Sequence, residues 1–198
     1  MIKLSILIPT YNYKFGLLKI LEGFIKCREN DLNQIELIIG DDSSTKIIEN
    51  FEIDFYKKYI PNFRYIKNKN NLYIKNWNNL ISKAKGKYYW LLHHDEEILN
   101  PREALEKILN NFENYNNQVF ILPVIKFRSI NFLNLRIYTL IKHNSPKNLL
   151  EFFLKNYSYL MYINIIGPPS GIIVSQKIKS LYRDELKWLV DVDYYIDI

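Results

Sequence analysis

The chain has 198 residues, 48% hydrophobic and 24% charged, with a formal net charge of +6 and a pI near 9.1. That length suits one domain with a substantial core, and the balance of apolar and charged residues excludes a disordered or fibrous chain. The lone cysteine, Cys27, excludes an internal disulfide framework and fits a reducing compartment. No apolar run reaches the roughly 20 residues that span a bilayer. The basic excess suits an anionic ligand or a negatively charged membrane face. Lys and Arg are scattered, without the basic stripe or motif of a nucleic-acid binder.

In chain order, residues 3–8 predict a strand, entered directly with no signal-peptide pattern, so a cytoplasmic location is expected. Residues 14–27 predict a helix with Leu17, Leu18, Leu21, Phe24 and Ile25 on one face. A strand over 35–40 follows, then a helical stretch from Thr45 to Tyr59 closed by Pro61, and a short strand over 63–66. A helix over Ile74–Lys83 is expected to end at Gly86 as its C-cap. Strand 87–92, helix 101–113 with Pro101 in its first turn, and strand 118–123 complete an alternating unit. Such alternation implies an α/β fold, a mostly parallel sheet flanked by helices.

After Pro123 the pattern loosens. Residues 124–143 are basic and aromatic-aliphatic, readable as a core strand pair with an acceptor-side loop or as a peripheral membrane face. A helix over 146–157, a break at Gly167-Pro168-Pro169-Ser170-Gly171, and a strand-like Ile172-Ile173-Val174 come next. The expected organisation is one domain, with residues 1–123 as the ligand-binding half and 124–198 as a smaller second half.

The strand ends carry the chemistry. Ser5-Ile6-Leu7-Ile8 runs into Pro9-Thr10-Tyr11-Asn12, and Ile38-Ile39-Gly40 into Asp41-Asp42-Ser43-Ser44. Tyr88-Tyr89-Trp90-Leu91-Leu92 empties into His93-His94-Asp95-Glu96-Glu97. In open α/β sheets ligands bind past the carboxyl ends of the strands, so these outlets predict a polar crevice for a nucleotide and a cation. Asp41 and Asp42 read either as acceptors for a nucleobase and ribose or as an Asx-turn and helix cap. Asp95-Glu96-Glu97 reads either as a cation outlet or as an exposed loop before the next helix. Lys75 reads either as a phosphate contact or as a solvated side chain.

These outlets, with the segment Asn71-Leu72-Tyr73-Ile74-Lys75-Asn76-Trp77-Asn78 and Ala84-Lys85-Gly86-Lys87-Tyr88, resemble in order and spacing the family 2 inverting glycosyltransferases. The resemblance covers the first half of the chain and implies a GT-A fold and a nucleotide-sugar donor, UDP-linked by preference. It implies donor contacts from Pro9, Tyr11, Asn12, Asp41, Asp42, Asn71, Asn78, His94 and Asp95, with Asp42 reading the base and Tyr11 stacking on it. Asp95 corresponds to the last Asp of the family's Asp-x-Asp motif, the ligand of a Mn²⁺ or Mg²⁺ ion. His93 stands where the first Asp would be, and Tyr73 where the family usually has Gly. Asp191 corresponds to the catalytic base, although Val190 replaces the Glu that usually precedes it. The Gly167–Ser170 turn corresponds to the lining of the sugar and acceptor sites, and the acceptor is expected to be a glycan or lipid-linked hydroxyl. Family members usually continue past the point where this chain ends.

Two other functions remain open: a GT-A-like module that binds sugar nucleotide or a partner without turnover, and a sugar-nucleotide nucleotidyltransferase. The latter normally carries a Gly-rich phosphate loop that Pro9-Thr10-Tyr11-Asn12 lacks.

Overall fold

A computed structural model describes residues 1–115, 118–132, 135–143 and 147–198. Strands β1 (Leu4–Thr10) and β2 (Ile35–Asp41) are buried along their whole length, as continuous apolar runs in a sheet covered on both faces must be. β1 lies between β2 and β4 (Tyr88–Leu91), parallel to both, and β3 (Phe63–Lys67) extends the parallel set beyond β2. On the far side β8 (Ile172–Ser175) runs antiparallel to β4 and to β5 (Val119–Ile121), giving the order β3-β2-β1-β4-β8-β5.

Alternate side chains serve opposite faces. Ile6, Ile8, Leu37, Ile39 and Trp90 pack with helices α1 (Lys14–Phe24), α3 (Asn50–Tyr59) and α5 (Pro101–Asn114). Leu7, Ile38, Tyr89 and Leu91 pack with α4 (Ile74–Lys83) and α7 (Val190–Asp197). A single helical turn, α2 (Glu29–Leu32), precedes β2, too short for its periodicity to show in the sequence.

Two of the departures from expectation have local reasons. Helix α3 begins at Asn50 rather than Thr45, because residues 43–47 curl around the Asp41 carboxylate. Its start is set instead by a reciprocal capping box between Glu49 and Glu52. Gly86 does not cap α4, whose C-cap is Ala84. A Cβ at Gly86 would lie 2.7 Å from the Ser5 amide nitrogen, so glycine is needed there for close approach to β1. The Gly86 amide donates to Ser5 Oγ (2.8 Å), which donates to the buried Glu36 carboxylate (2.6 Å).

After β5 the chain leaves the sheet as an antiparallel hairpin of β6 (Val124–Phe132) and β7 (Leu135–His143), followed by α6 (Lys147–Lys155). The side chains on which the membrane-face reading of 124–143 rests, and residue 146 of the expected helix, lie outside the described residues. The chain re-enters the sheet as β8 from the carboxyl edge of β4, which makes β8 antiparallel and delivers the turn at 164–171 to that edge. The sheet therefore presents the ends of β1, β2 and β4 and the start of β8 to one crevice. No helix among the described residues is long and apolar enough to cross a membrane.

Candidate active site

Asp41 and Asp42, adjacent in sequence, are held in different ways. Asp41 is sealed: Oδ1 accepts from the Ser43 amide (2.8 Å), and Oδ2 from the Tyr65 hydroxyl and the Ile47 amide. Burial and this carboxylate push the Tyr65 hydroxyl well above its ordinary range. Asp42 points along the crevice floor. Its Oδ2 accepts from the amides of Leu72 (3.0 Å) and Tyr73 (3.1 Å), and its Oδ1 from Asn68 Nδ2 (2.7 Å). A carboxylate has about four lone-pair directions, so Oδ1 keeps one for a further donor.

Asn76 locks this floor to the sheet, donating to the Gly40 carbonyl (2.8 Å) and accepting from Asn68 (3.0 Å). A Cβ at Gly40 would sit 2.2 Å from Asn76 Oδ1, so only glycine fits. Asn71 accepts from the Tyr73 amide (3.1 Å). The amide of Asn78 brackets the backbone of Tyr182, donating to its carbonyl (2.7 Å) and accepting from its N–H (3.0 Å). Both asparagines thus shape loops at the crevice. Lys75, readable from the sequence as a phosphate contact, pairs with Asp184 (3.2 Å).

The loop after β1 is tied to both neighbours. The Asn12 amide donates to Ser43 Oγ (2.7 Å), and Asn12 takes a positive φ of 49°. His94 Nδ1 lies 3.3 Å from the Tyr11 amide and 3.2 Å from the Pro9 carbonyl, so it accepts from one or donates to the other according to its tautomer. The Tyr11 side chain is left about half exposed, an open ring at the mouth of the crevice.

Beyond β4 the acidic residues separate by role. Glu96 turns inward, accepting from the His93 amide (2.9 Å) and Ser170 Oγ (2.6 Å), and burial raises its carboxyl above the usual range. Glu97 pairs outward with Lys19 (2.6 Å). Asp95 is exposed and, among the described residues, has no hydrogen-bond or ion-pair partner. His93 packs on Trp77, with ring centroids 4.8 Å apart. Its Nε2 is buried without a hydrogen-bond partner among the described residues. Burial pulls its pKa down to about 4 against the opposing pull of Asp95 and Asp191, so the ring is neutral at neutral pH.

Asp191 lies in the first turn of α7, where Oδ2 accepts from Asn164 Nδ2 (2.8 Å). Asp193 points elsewhere, to Arg183 Nε (2.8 Å). Asp191 is thus tied to the turn at 164–171, whose Ser170 bonds Glu96 in the loop of Asp95, from a segment far along the chain. Sequence reasoning missed Asn68, Asn164 and the bracing role of Glu96. For Asn164 a signal existed, since Asn three residues before Gly167 is an Asx-turn pattern. For Asn68 there was none.

Tyr73 occupies the position where Gly was expected, and it adopts the conformation glycine would take, with φ 50° and ψ −123°. Its side chain is 73% exposed, so packing does not offset the strain. Tyr73→Gly is expected to stabilise the fold by about 1 kcal/mol, the relief of strain outweighing the extra freedom of the unfolded chain. Urea unfolding checks this, and a destabilised variant refutes it.

The family model described as glycosyl transferase family 2 matches residues 5–176. No curated protein matches the chain. Among solved structures, S. aureus TarS 1–349 is 18% identical with a TM-score of 0.70, covering 99% of this chain and 55% of that one. The same TarS fragment in complex with UDP-GlcNAc is 16% identical with a TM-score of 0.67, covering 99% and 53%. Its complex with UDP is 16% identical with a TM-score of 0.64, covering 98% and 54%. The chain spans about half the length of these structures, and at such identities the likeness establishes the fold, which is GT-A.

Proposed function

The chain belongs to glycosyl transferase family 2, and on that premise we propose that it moves a sugar from a nucleotide-sugar donor to an acceptor hydroxyl with inversion. The acceptor is a glycan or a lipid-linked saccharide. The acceptor oxygen bonds to the anomeric carbon as its proton passes to Asp191, and the bond from that carbon to the diphosphate oxygen breaks with its electron pair leaving on the diphosphate. The observation that carries this reading is the turn at 164–171, which holds Asp191 through Asn164 (2.8 Å) and joins the acidic loop of Asp95 through the bond from Ser170 to Glu96 (2.6 Å). Pro9, Tyr11 and the remaining acceptor direction of Asp42 are assigned to the base. Uridine is preferred because the TarS structures of the same fold are complexes with UDP and UDP-GlcNAc.

Among the described residues no three His, Cys, Asp or Glu side chains group as a metal site. Of the carboxylates in the loop after β4, Asp95 is the one left unpaired among the described residues, which fits Mg²⁺ or Mn²⁺ held jointly with donor phosphates rather than by a protein cage. Such an ion supplies charge neutralisation to the departing diphosphate. A second reading, binding without turnover, is favoured by one feature, the neutral His93 in the place of an acid.

Calorimetric titration tests the proposal. UDP is expected to bind at least about tenfold tighter with Mn²⁺ present than absent, GDP more weakly than UDP, and Mn²⁺ alone without measurable heat. Absence of UDP binding with or without the ion would overturn the nucleotide-sugar reading. Binding of UDP without turnover of any UDP-sugar would favour the second.

A further inference from the structure

We propose that Asn164 is a positioning residue that fixes the Asp191 carboxylate for proton abstraction, an inference that rests on the reading of Asp191 as the base. The amide of Asn164 is fully used. Its Nδ2 donates to Asp191 Oδ2 and to the Gly167 carbonyl, both at 2.8 Å. Its Oδ1 accepts from the amides of Ile166 (3.1 Å) and Gly167 (2.9 Å). Two donors and two acceptors exhaust the group, and a flipped amide would set oxygen against both the carboxylate and the carbonyl while turning its N–H groups toward two amides. The orientation of Asn164, and of the carboxylate oxygen it holds, is therefore singular.

The segment that carries Asn164 is itself anchored. Tyr195, four residues and one helical turn after Asp191, donates its hydroxyl to the same Gly167 carbonyl (3.1 Å). Trp90 Nε1 on β4 donates to the Ser170 carbonyl (2.8 Å), and Ser170 Oγ donates to Glu96 (2.6 Å). The turn at 164–171 thus links α7 to β4 and to the loop of Asp95, which fixes the base relative to the donor side of the crevice. With Oδ2 held, Asp191 Oδ1 has no other partner among the described residues and is left for the acceptor hydroxyl.

The test uses the full chain with Asn164→Ala, Asn164→Asp and Asp191→Asn. Asn164→Asp keeps an acceptor oxygen for the Ile166 and Gly167 amides but sets its other oxygen against the Asp191 carboxylate and the Gly167 carbonyl, so it replaces the donor by a repelling group, while Asn164→Ala removes the donor without adding charge. In both Asn164 variants UDP affinity by calorimetry should stay within about twofold, while kcat for UDP release from UDP-GlcNAc falls by up to about 10²-fold with little change in KM. In ¹⁵N-resolved spectra the Asn164 side-chain amide protons should shift upfield in Asp191→Asn, as a charge-assisted bond becomes a neutral one or is lost. Amide signals indifferent to Asp191→Asn, or wild-type turnover in Asn164→Asp, would overturn the inference. Failure of UDP to bind would instead strike the reading of the site, and the amide signals would still decide whether Asn164 holds Asp191. The same spectra decide it if UDP-GlcNAc is not turned over.

Discussion

Asp191→Asn is expected to lower turnover by about 10²–10⁴-fold while leaving UDP affinity within about twofold. The two effects separate because of where the residue sits. Asp191 projects from the first turn of α7 toward the turn at 164–167, and the groups assigned to the base lie at the ends of β1 and β2. Asparagine matches the carboxylate in size, so the fold should be kept and the lost activity should measure proton removal alone. One further consequence is predictable: in this variant the new amide must present its oxygen to Asn164 Nδ2, which leaves its own NH₂ facing the acceptor hydroxyl. That group donates where an acceptor is needed, so the loss should lie toward the upper end of the range. Steady-state UDP release with an active donor and acceptor, beside calorimetry of UDP, checks both halves. Turnover near the wild-type rate would remove Asp191 as the base, and parallel loss of UDP affinity would place it in donor binding instead.

What the sequence made legible follows from the range of each interaction. Strands β1 and β2 announce themselves because burial on both faces demands apolar side chains at nearly every position, as Leu4–Ile8 and Ile35–Ile39 show. The outlets after β1, β2 and β4 were legible for the same reason, since Asp41, Asp42 and Asp95 follow apolar runs that cannot continue through them. The direction of β8 was not, because Ile172-Ile173-Val174 packs equally well either way. Its antiparallel course comes from a chain that re-enters the sheet at the carboxyl edge of β4. The separation of Asp41 from Asp42 was equally hidden. It depends on Tyr65 and on Leu72 and Tyr73, partners 24 to 31 residues distant that no local pattern reveals. Asn164 and Asp191 are 27 residues apart, and only the fold makes them neighbours.

Asp42→Ala should cost the fold about 2 kcal/mol, lowering Tm by about 4–8 °C for a chain of this size, and should abolish measurable UDP binding. The stability loss has a definite source. Removing the carboxylate strips the acceptor from the Leu72 and Tyr73 amides and from Asn68 Nδ2, and Asn68 is buried. It also releases the contact that holds Tyr73 at positive φ, since the bond from its amide to Asn71 Oδ1 would remain alone. Loop strain and base recognition are therefore carried by the same carboxylate, and a single substitution cannot tell them apart. A double-mutant cycle with Tyr73→Gly does so. If Asp42 spends part of its bonding on holding the strained turn, Tyr73→Gly should gain less stability in the Asp42→Ala background, where the released turn has already relaxed, than the wild type gains from it. If Asp42 also contacts the base, UDP binding should stay lost in the double variant although the loop no longer needs restraint. Restored binding there would mean that Asp42 serves only to shape the loop, and the base would have to be read by other groups at the ends of β1 and β2.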